Sequence, residues 1–231
     1  MDKGHITNLV MVCSRGRPQN VIRCFEVLKK LSHISDYILV ISEDQKDLYP
    51  EIEGVQRLVA PLDAGTGSCD KGNYLVAQKI HEDYETLSCI DDDTVVETDG
   101  WDLYLALPLK AKGYGVSWGN DGIHQGQIPT KWTMTTNIVS SLGFIAPPGL
   151  IHLYVDNLWH RIGEVLNSAH YAPSVLMTHH HWINKKAPMD ATYAENNTKE
   201  VWAHDEKVFT EYITGQFHED IERIKKDLKI A

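Results

Sequence analysis

Short apolar segments and polar turns alternate along the first hundred residues. The apolar runs, two of them interrupted by polar residues, cover residues 9–13, 37–41, 55–60 and 86–90. Runs of this length, each ending in polar residues, are typical of strands buried on both faces of a parallel sheet. Between them, apolar residues recur every three to four positions over 18–31 and 71–82, which predicts helices that cover the sheet. The alternation predicts an α/β fold with a mostly parallel, Rossmann-like sheet flanked by helices.

The second half of the chain has a weaker pattern. It predicts helices at 101–109, 136–142 and 154–166, strands at 114–118 and 174–178, and a glycine-rich polar loop over 119–129. Further on, an apolar stripe from Trp202 to Leu228 predicts an amphipathic helix. We therefore expect one domain over residues 1–200 and a C-terminal helix over residues 201–231. That helix is expected to pack on the domain or on a partner, in the second case forming a homodimer.

Charge and cysteine content narrow the class of protein. The chain has 231 residues and a formal net charge of −10. This acidic balance disfavours nucleic acid as a partner, although a local basic groove stays compatible with it. The four cysteines form no Cys-x-x-Cys pair, which predicts free core thiols in a reducing compartment. Because no apolar run is long enough to cross a membrane, we expect a cytoplasmic protein.

Three consecutive aspartates, Asp91, Asp92 and Asp93, follow the buried run at 86–90. Adjacent carboxylates repel one another, so such a cluster is costly unless a cation or strong donors compensate it. In parallel sheets, ligands bind beyond the carboxyl ends of the strands, where this cluster lies. The sequence therefore predicts a divalent metal, Mn²⁺ or Mg²⁺, bound together with substrate phosphate. The alternative is a solvated turn that caps the next helix.

A run of three histidines follows the predicted strand at 174–178. Strand alternation places His179 and His181 on one face, and neutral imidazole binds Mn²⁺ alongside carboxylates. We expect one of the two to be a metal ligand, and the sequence does not choose between them. The alternative is a polar strand end whose histidines are hydrogen-bonded within the protein.

Other polar residues lie where predicted strands end or a helix begins. Side chains in these positions can contact the base, the ribose or the phosphates of a nucleotide, and a solvated loop is the alternative for each. The candidates are Ser14, Arg15 and Arg17 after the first strand, Glu43 and Asp44 after the second, and Lys71 and Asn73 after the loop at 65–67.

Three segments of the chain carry a resemblance to a known family. They are Leu9 to Arg15, Ile90 to Thr94 and Val155 to Leu158. In order and spacing they resemble the GT-A glycosyltransferases of the family-two kind, over residues 6–182. The resemblance implies a GT-A fold and transfer of a sugar from a nucleotide-diphosphate sugar, with a UDP-sugar favoured. The acceptor would be a hydroxyl whose identity the sequence does not reveal.

The same resemblance implies roles for particular residues. The aspartates of the family's Asp-x-Asp motif bind a divalent metal and contact the ribose, which implies Asp93 as a direct ligand and Asp91 and Asp92 as nucleotide or metal-water contacts. A histidine in the C-terminal position often supplies the last ligand. Asp156 corresponds to the catalytic base of inverting members, although these usually carry Glu-Asp where this chain has Val155 and Asp156. An inverting reaction is therefore expected, with a retaining reaction as the alternative. For Asp156 itself, the alternative is an aspartate that stabilises the first turn of its helix.

Other protein classes fit the sequence less well. The first strand lacks the GxGxxG of a dinucleotide-binding dehydrogenase, and residues 67–73 lack the Lys-Ser or Lys-Thr pair of a P-loop. Two alternatives stay open: a nucleotidyltransferase or phosphohydrolase that uses the same carboxylates, and a non-catalytic module that binds nucleotide sugars or glycans. Beside the loop at 119–129, Trp118 and Trp132 are suited to stacking on a sugar or another flat acceptor. A surface loop with one packed tryptophan is the alternative there.

Overall fold

The first four strands of the sheet are parallel, as predicted. The computed structural model describes residues 6–180, 184–187 and 189–230. These strands are β1 (Asn8–Cys13), β2 (Ser35–Ser42), β3 (Gln56–Ala60) and β4 (Thr86–Asp91), joined in part by helices α1 (Pro18–Leu31) and α2 (Ser68–Ala77). The register sets Cys13 beside both Val40 and Asp91. The residues that follow β1, β2 and β4 therefore meet at one edge of the sheet.

Helices on both faces explain why the strands are continuously apolar. Along β1, Leu9 and Met11 pack into one buried cluster with Leu75 of α2. Val10 and Val12 pack into a second cluster, with Phe25 of α1. Because alternate side chains point to opposite faces, both sets must be apolar when both faces are covered.

The second half of the chain completes an eight-stranded sheet. Its strands are β5 (Thr94–Val96), β6 (Val116–Asn120), β7 (Trp132–Thr135) and β8 (Ala169–His179). The strand order is β3-β2-β1-β4-β7-β6-β8-β5, in which β7 is antiparallel to β4 and β6, and β5 is antiparallel to β8. The intervening helices are α3 (Trp101–Lys112), α4 (Thr136–Leu142) and α5 (Val155–Val165). Of these four strands, β5 and β7 were not predicted, because segments of three and four residues are too short to show a hydrophobic period.

Strand β8 is twice as long as predicted and changes partners along its length. Its first part pairs with β6, and the register shifts between Gly119 and Asn120. Its last part pairs with β5, where Thr94 lies opposite His179. Since Thr94 directly follows the aspartates, this pairing carries the histidine to the acidic end of β4.

The C-terminal segment forms two helices where a single one was predicted, and a short helix precedes them. The short helix is α6 (Ala191–Asn196), and the two helices are α7 (Lys199–Thr214) and α8 (Phe217–Leu228). The break lies at Gly215, where an added Cβ would come within 3.0 Å of the Glu211 carbonyl oxygen. Phe217, Ile221 and Ile224 of α8 join the core cluster beneath α2 and α4. The α8 part of the apolar stripe is thus buried within the same chain, whereas Trp202 at its start is exposed. The homodimer and the division at residue 200 stay predictions.

Across the described residues, no helix is both long and apolar enough to cross a membrane. The four cysteines are free thiols.

Candidate active site

The three aspartates at the end of β4 point to different sides. Asp92 is buried against β1, where it accepts a hydrogen bond of 2.5 Å from Ser14 Oγ. Asp93 is also buried, whereas Asp91 is exposed and forms an ion pair of 2.7 Å with the buried Lys131 ammonium. Asp92 and Asp93 lie in the turn between β4 and β5, where their carboxylates accept hydrogen bonds from different hydroxyl groups.

Asp91, Asp93 and His179 form the potential metal-binding group. One ligand atom of each lies within 4.8 Å of those of the other two. Within this group, His179 Nε2 lies 3.0 Å from Asp93 Oδ1. Two carboxylates and an imidazole are a donor set that suits Mn²⁺, so the residues present fit the predicted metal. His181, the other predicted ligand, lies outside the described residues.

The two buried aspartates have opposite pKa shifts. Burial and the neighbouring charge of Asp93 raise the pKa of Asp92 to about 7. Burial also opposes ionisation of Asp93, but His179 and Lys131 outweigh it and hold the pKa of Asp93 well below its ordinary value. Asp93 is therefore the buried carboxylate that stays charged and able to bind a cation.

Arg17 and the start of α6 cover the acidic cluster. Arg17 donates two hydrogen bonds to Asp190, of 2.8 and 2.7 Å, and its guanidinium lies 4.0 Å from the centre of the Tyr193 ring. Its third nitrogen is 3.4 Å from Asp92 and 3.5 Å from Asp93. The Tyr193 hydroxyl donates to Asp93 at 2.5 Å. Asp190 carries a sequence signal only as the N-cap of α6, and Tyr193 carries none, so sequence reasoning missed both.

Two adjoining cavities open beside this cluster. The main cavity has a volume of about 300 Å³ and the side pocket about 190 Å³. Both are bordered by Asp91, His152 and His179, whereas Asp156 lines the side pocket alone. Asp91 and His179 thus lie where the two spaces meet, and each space is large enough for part of a ligand.

The predicted nucleotide contacts divide into two groups. Ser14, Arg15 and Lys71 line the main cavity. Lys71 is buried, and its ammonium donates to the carbonyl oxygens of Ser14 and Thr66, both at 3.1 Å. Arg15 makes a two-bonded ion pair with Asp44, at 3.1 and 2.8 Å. Asp44 does not line the main cavity itself, but it holds the Arg15 side chain that does.

The structure does not bring Glu43 or Asn73 to the cavities. Glu43 is exposed at the start of a short 3-10 helix after β2. The Asn73 amide binds the backbone at residues 145 and 146, with one bond donated at 2.8 Å and two accepted at 2.9 and 3.0 Å. Asn73 holds the loop that leads toward α5, so its contacts are with the protein itself.

Asp156 lies at the start of α5, within the side pocket. Its carboxylate accepts a hydrogen bond of 2.8 Å from the Asn157 backbone. Burial raises its pKa, although Lys131 opposes the shift. A carboxylate of raised pKa that faces a pocket can accept a proton from a bound hydroxyl.

Two further buried aspartates, Asp205 and Asp121, hold loops of the cavity walls. Asp205 of α7 accepts backbone hydrogen bonds from residues 151, 152 and 153, at 3.0, 2.9 and 2.8 Å. Asp121 accepts from the His124 ring at 2.6 Å, and from Thr130 and two backbone N–H groups. Burial opposes its ionisation, but these bonds lower the pKa of Asp121 to about 2. Asp121 thus holds the polar loop at 119–129 in place, and His124 of this loop lines the main cavity.

Solved structures of glycosyltransferases share this α/β fold. The mannosyltransferase PcManGT from Pyrobaculum calidifontis, in complex with GDP-Man and Mn²⁺, matches with a TM-score of 0.59 at 8% identity, over 97% of this chain and 74% of the other. TarS 1–349 from S. aureus matches with a TM-score of 0.52 at 14% identity, over 74% of this chain. This match spans 59% of the TarS 1–349 chain.

A second TarS 1–349 structure, in complex with UDP-GlcNAc, matches over 90% of this chain and 72% of its own, with a TM-score of 0.51 at 14% identity. No protein-family model and no curated protein sequence matches this chain. At these identities the likeness is one of fold, and it confirms the fold predicted from the sequence.

Proposed function

We propose that this protein is a metal-dependent glycosyltransferase that moves a sugar from a nucleotide-diphosphate sugar to an acceptor hydroxyl. The observation that carries the proposal is the cluster of Asp91, Asp93 and His179 in the main cavity, of which Asp91 and His179 also line the side pocket that holds Asp156. The nucleotide sugars and Mn²⁺ in the complexes of its structural neighbours support the same substrate class.

Asp91, Asp93 and His179 would hold the divalent ion, Mn²⁺ or Mg²⁺. When bound, the ion supplies positive charge that offsets the negative charge developing on the diphosphate leaving group. Among the residues that the structure describes, Arg17 and Lys131 are the lysine and arginine side chains that form ion pairs with these aspartates. A third source of positive charge suits a site that must also receive a diphosphate.

The main cavity is the proposed donor site, with a UDP-sugar as the favoured donor. Its volume of about 300 Å³ lies at the lower end of the range for small-molecule sites. Ser14, Arg15 and Lys71 line it and remain candidates for nucleotide contact, with Asp44 acting through Arg15. Glu43 and Asn73 have no part in this proposal, because neither lines the cavity.

The side pocket is the proposed acceptor site, and Asp156 is the proposed base. The acceptor O–H bond breaks as its proton passes to the Asp156 carboxylate. The acceptor oxygen forms a bond to the anomeric carbon, whose bond to the phosphate oxygen breaks and releases the nucleoside diphosphate. Attack from the side opposite the leaving group inverts the anomeric centre. The raised pKa makes the carboxylate a stronger proton acceptor.

Binding of metal and donor tests the proposal directly. Asp93→Asn should weaken Mn²⁺-dependent binding of UDP-sugars or GDP-sugars by at least about 10-fold in calorimetry, since a charge-assisted contact exceeds 1.4 kcal/mol. Asp83→Asn is the matched control, because Asp83 is exposed and lies before β4, at the opposite end of the strand. Equal binding in the two variants would refute the metal assignment.

The product formed with Mn²⁺ and an acceptor distinguishes the two enzymatic alternatives. A glycosyltransferase releases a nucleoside diphosphate, whereas a phosphohydrolase or nucleotidyltransferase breaks a phosphate anhydride and releases a nucleoside monophosphate or pyrophosphate. Binding of a nucleotide sugar without any bond cleavage, across a broad acceptor panel, would favour the non-catalytic module.

A further inference from the structure

The transferred sugar has to lie where the main cavity and the side pocket meet. Its anomeric carbon starts out bonded to the diphosphate, which the proposed function places beside the metal-binding group in the main cavity. The same carbon ends bonded to an acceptor oxygen, which is placed beside Asp156 in the side pocket. A side chain that contacts the sugar therefore belongs to the residues that border both spaces.

Few side chains with nitrogen or oxygen atoms border both spaces. Outside the metal-binding group they are Ser68, Thr130 and His152. The Thr130 hydroxyl already donates to Asp121 at 2.9 Å. Ser68 and His152 are each partly exposed, and Ser68 Oγ lies 3.0 Å from His152 Nδ1, within hydrogen-bond distance. These two residues form a pair at the junction that is used neither as a metal ligand nor as the base.

Close backbone contacts hold this pair in place. Gly67 precedes Ser68, and an added Cβ at Gly67 would lie 2.4 Å from the Ile151 carbonyl oxygen, so a larger residue would push the two segments apart. Asp205 fixes the second segment, because its carboxylate accepts backbone hydrogen bonds from residues 151–153. The backbone of His152 is thus positioned beside Ser68 before a ligand binds, which reduces the entropy lost on binding.

The second nitrogen of the His152 ring is available to a ligand. Burial lowers the pKa of His152, so the ring is neutral near pH 7. In a neutral ring one nitrogen donates and the other accepts, and Ser68 engages Nδ1. Nε2, which makes no hydrogen bond within the part of the chain that the structure describes, takes the opposite role. A hydroxyl group can donate or accept and so matches either tautomer, whereas a phosphate gains no charge contact from a neutral ring.

We propose that His152 and Ser68 bind one hydroxyl group of the transferred sugar and thereby select the donor. His152 Nε2 makes the contact, and Ser68 fixes the orientation of the ring. The assignment rests on the proposed function, because the sugar lies at the junction only if the protein transfers one. His152 thus has a role separate from that of the metal ligands, which hold the diphosphate, and from that of Asp156, which takes the acceptor proton.

Calorimetry with and without the sugar tests this assignment. UDP-glucose, UDP-galactose, UDP-GlcNAc and GDP-mannose are compared with free UDP and GDP, all with Mn²⁺. His152→Asn keeps an amide near the position of Nδ1 and has no atom at that of Nε2, so it should weaken binding of the preferred nucleotide sugar by about 10-fold and leave binding of the free diphosphate unchanged. His152→Gln reaches toward the position of Nε2 and should recover part of the lost affinity. His170→Asn is the matched control, since His170 is exposed on β8 and lines neither cavity.

Monodeoxy analogues of the preferred donor, each lacking one sugar hydroxyl, identify the group that is bound. In the unmodified protein, the analogue without the contacted hydroxyl should bind about 10-fold more weakly than the parent donor. In His152→Asn that difference should disappear, while the differences for the other hydroxyls remain. Ser68→Ala leaves Nε2 in place but removes the partner that orients the ring, so it should reduce the same difference to about 3-fold. If every difference persists in His152→Asn, the assignment is wrong.

The outcomes distinguish a failure of this assignment from a failure of the proposed function. If His152→Asn binds free diphosphates and nucleotide sugars with equal losses, or with none, the sugar contact alone is refuted. If donor affinity is unchanged but transfer falls, His152 acts on the acceptor and donor selection is again refuted. If no nucleotide sugar binds the unmodified protein with Mn²⁺, both proposals fail. Thermal melting identifies a His152 variant that does not fold, and Ser68→Ala then provides the comparison.

Discussion

The anchoring of the loop at residues 151–153 by Asp205 provides a quantitative test of how the site is built. The Asp205 side chain is fully buried in α7, and its carboxylate accepts three backbone hydrogen bonds of 2.8–3.0 Å. The loop carries His152 into the wall between the two cavities and leads into α5 and Asp156. Asp205→Asn keeps the size of the side chain but removes the charge and turns one acceptor atom into a donor.

The cost follows from the three hydrogen bonds. At least one bond is lost, and a hydrogen bond to a charged group contributes about 1.5–3 kcal/mol. The other two become bonds to a neutral acceptor, and each loses about 1 kcal/mol. We expect a loss of about 3–5 kcal/mol in the free energy of unfolding. For a chain of this length that corresponds to a fall of roughly 6–20 °C in melting temperature.

Chemical denaturation and thermal melting measure this loss, with Glu206→Gln as the control. Glu206 is the next residue of the same helix and is exposed, so its replacement removes an equal charge without a buried contact. At a temperature where both variants are folded, Asp205→Asn should lower the transfer rate more than donor affinity, because the displaced loop leads to the proposed base. A loss of stability no larger than that of Glu206→Gln would refute the anchoring role.

Three further outcomes are expected. Asp156→Asn should leave donor affinity near that of the unmodified protein and lower transfer by about 100-fold or more, and full transfer activity would remove this residue from the mechanism. Arg17→Lys should lower the free energy of unfolding in urea by about 1–3 kcal/mol, because lysine cannot make the paired bonds to Asp190 or stack on Tyr193. Arg15→Lys, in a more exposed ion pair, is the control, and an equal loss in the two variants would contradict this. Burial lowers the pKa of His81, so the unfolded chain takes up the proton first and stability should fall as pH drops below about 6.5, by up to 1.4 kcal/mol per unit. His81→Gln should reduce that slope between pH 7 and pH 5, and an unchanged slope would show that this histidine titrates normally.

The parallel half of the sheet could be predicted because its signal is local. Strands β1, β2 and β4 are buried on both faces over most of their length, so nearly every residue of each run reports the same environment. The edge strand β3 is partly exposed and has the weaker signal. The acidic triplet could be located for a related reason, since parallel strands bring their carboxyl ends to one edge. The C-terminal stripe was also read correctly as apolar, but periodicity alone did not show that Gly215 divides it into two helices.

The composition of the site depended on contacts between distant parts of the chain. Arg17 and Asp190 are separated by 173 residues, and Asp93 and Tyr193 by 100. Asp205 reaches its loop from more than 50 residues away. None of these residues has a neighbour in sequence that reveals its partner.

The sequence by itself determined which segments form the parallel strands and that carboxylates and a histidine stand at their ends, because burial and backbone alternation act over a few residues. Only the tertiary structure decided that the Asn73 amide binds backbone, that Arg17 and Tyr193 cover the aspartates, and that a side pocket with an apolar wall adjoins Asp156. Those outcomes depend on how β8 and the C-terminal helices fold back over the sheet. Contacts between residues so far apart in sequence are set by the packing of the whole core.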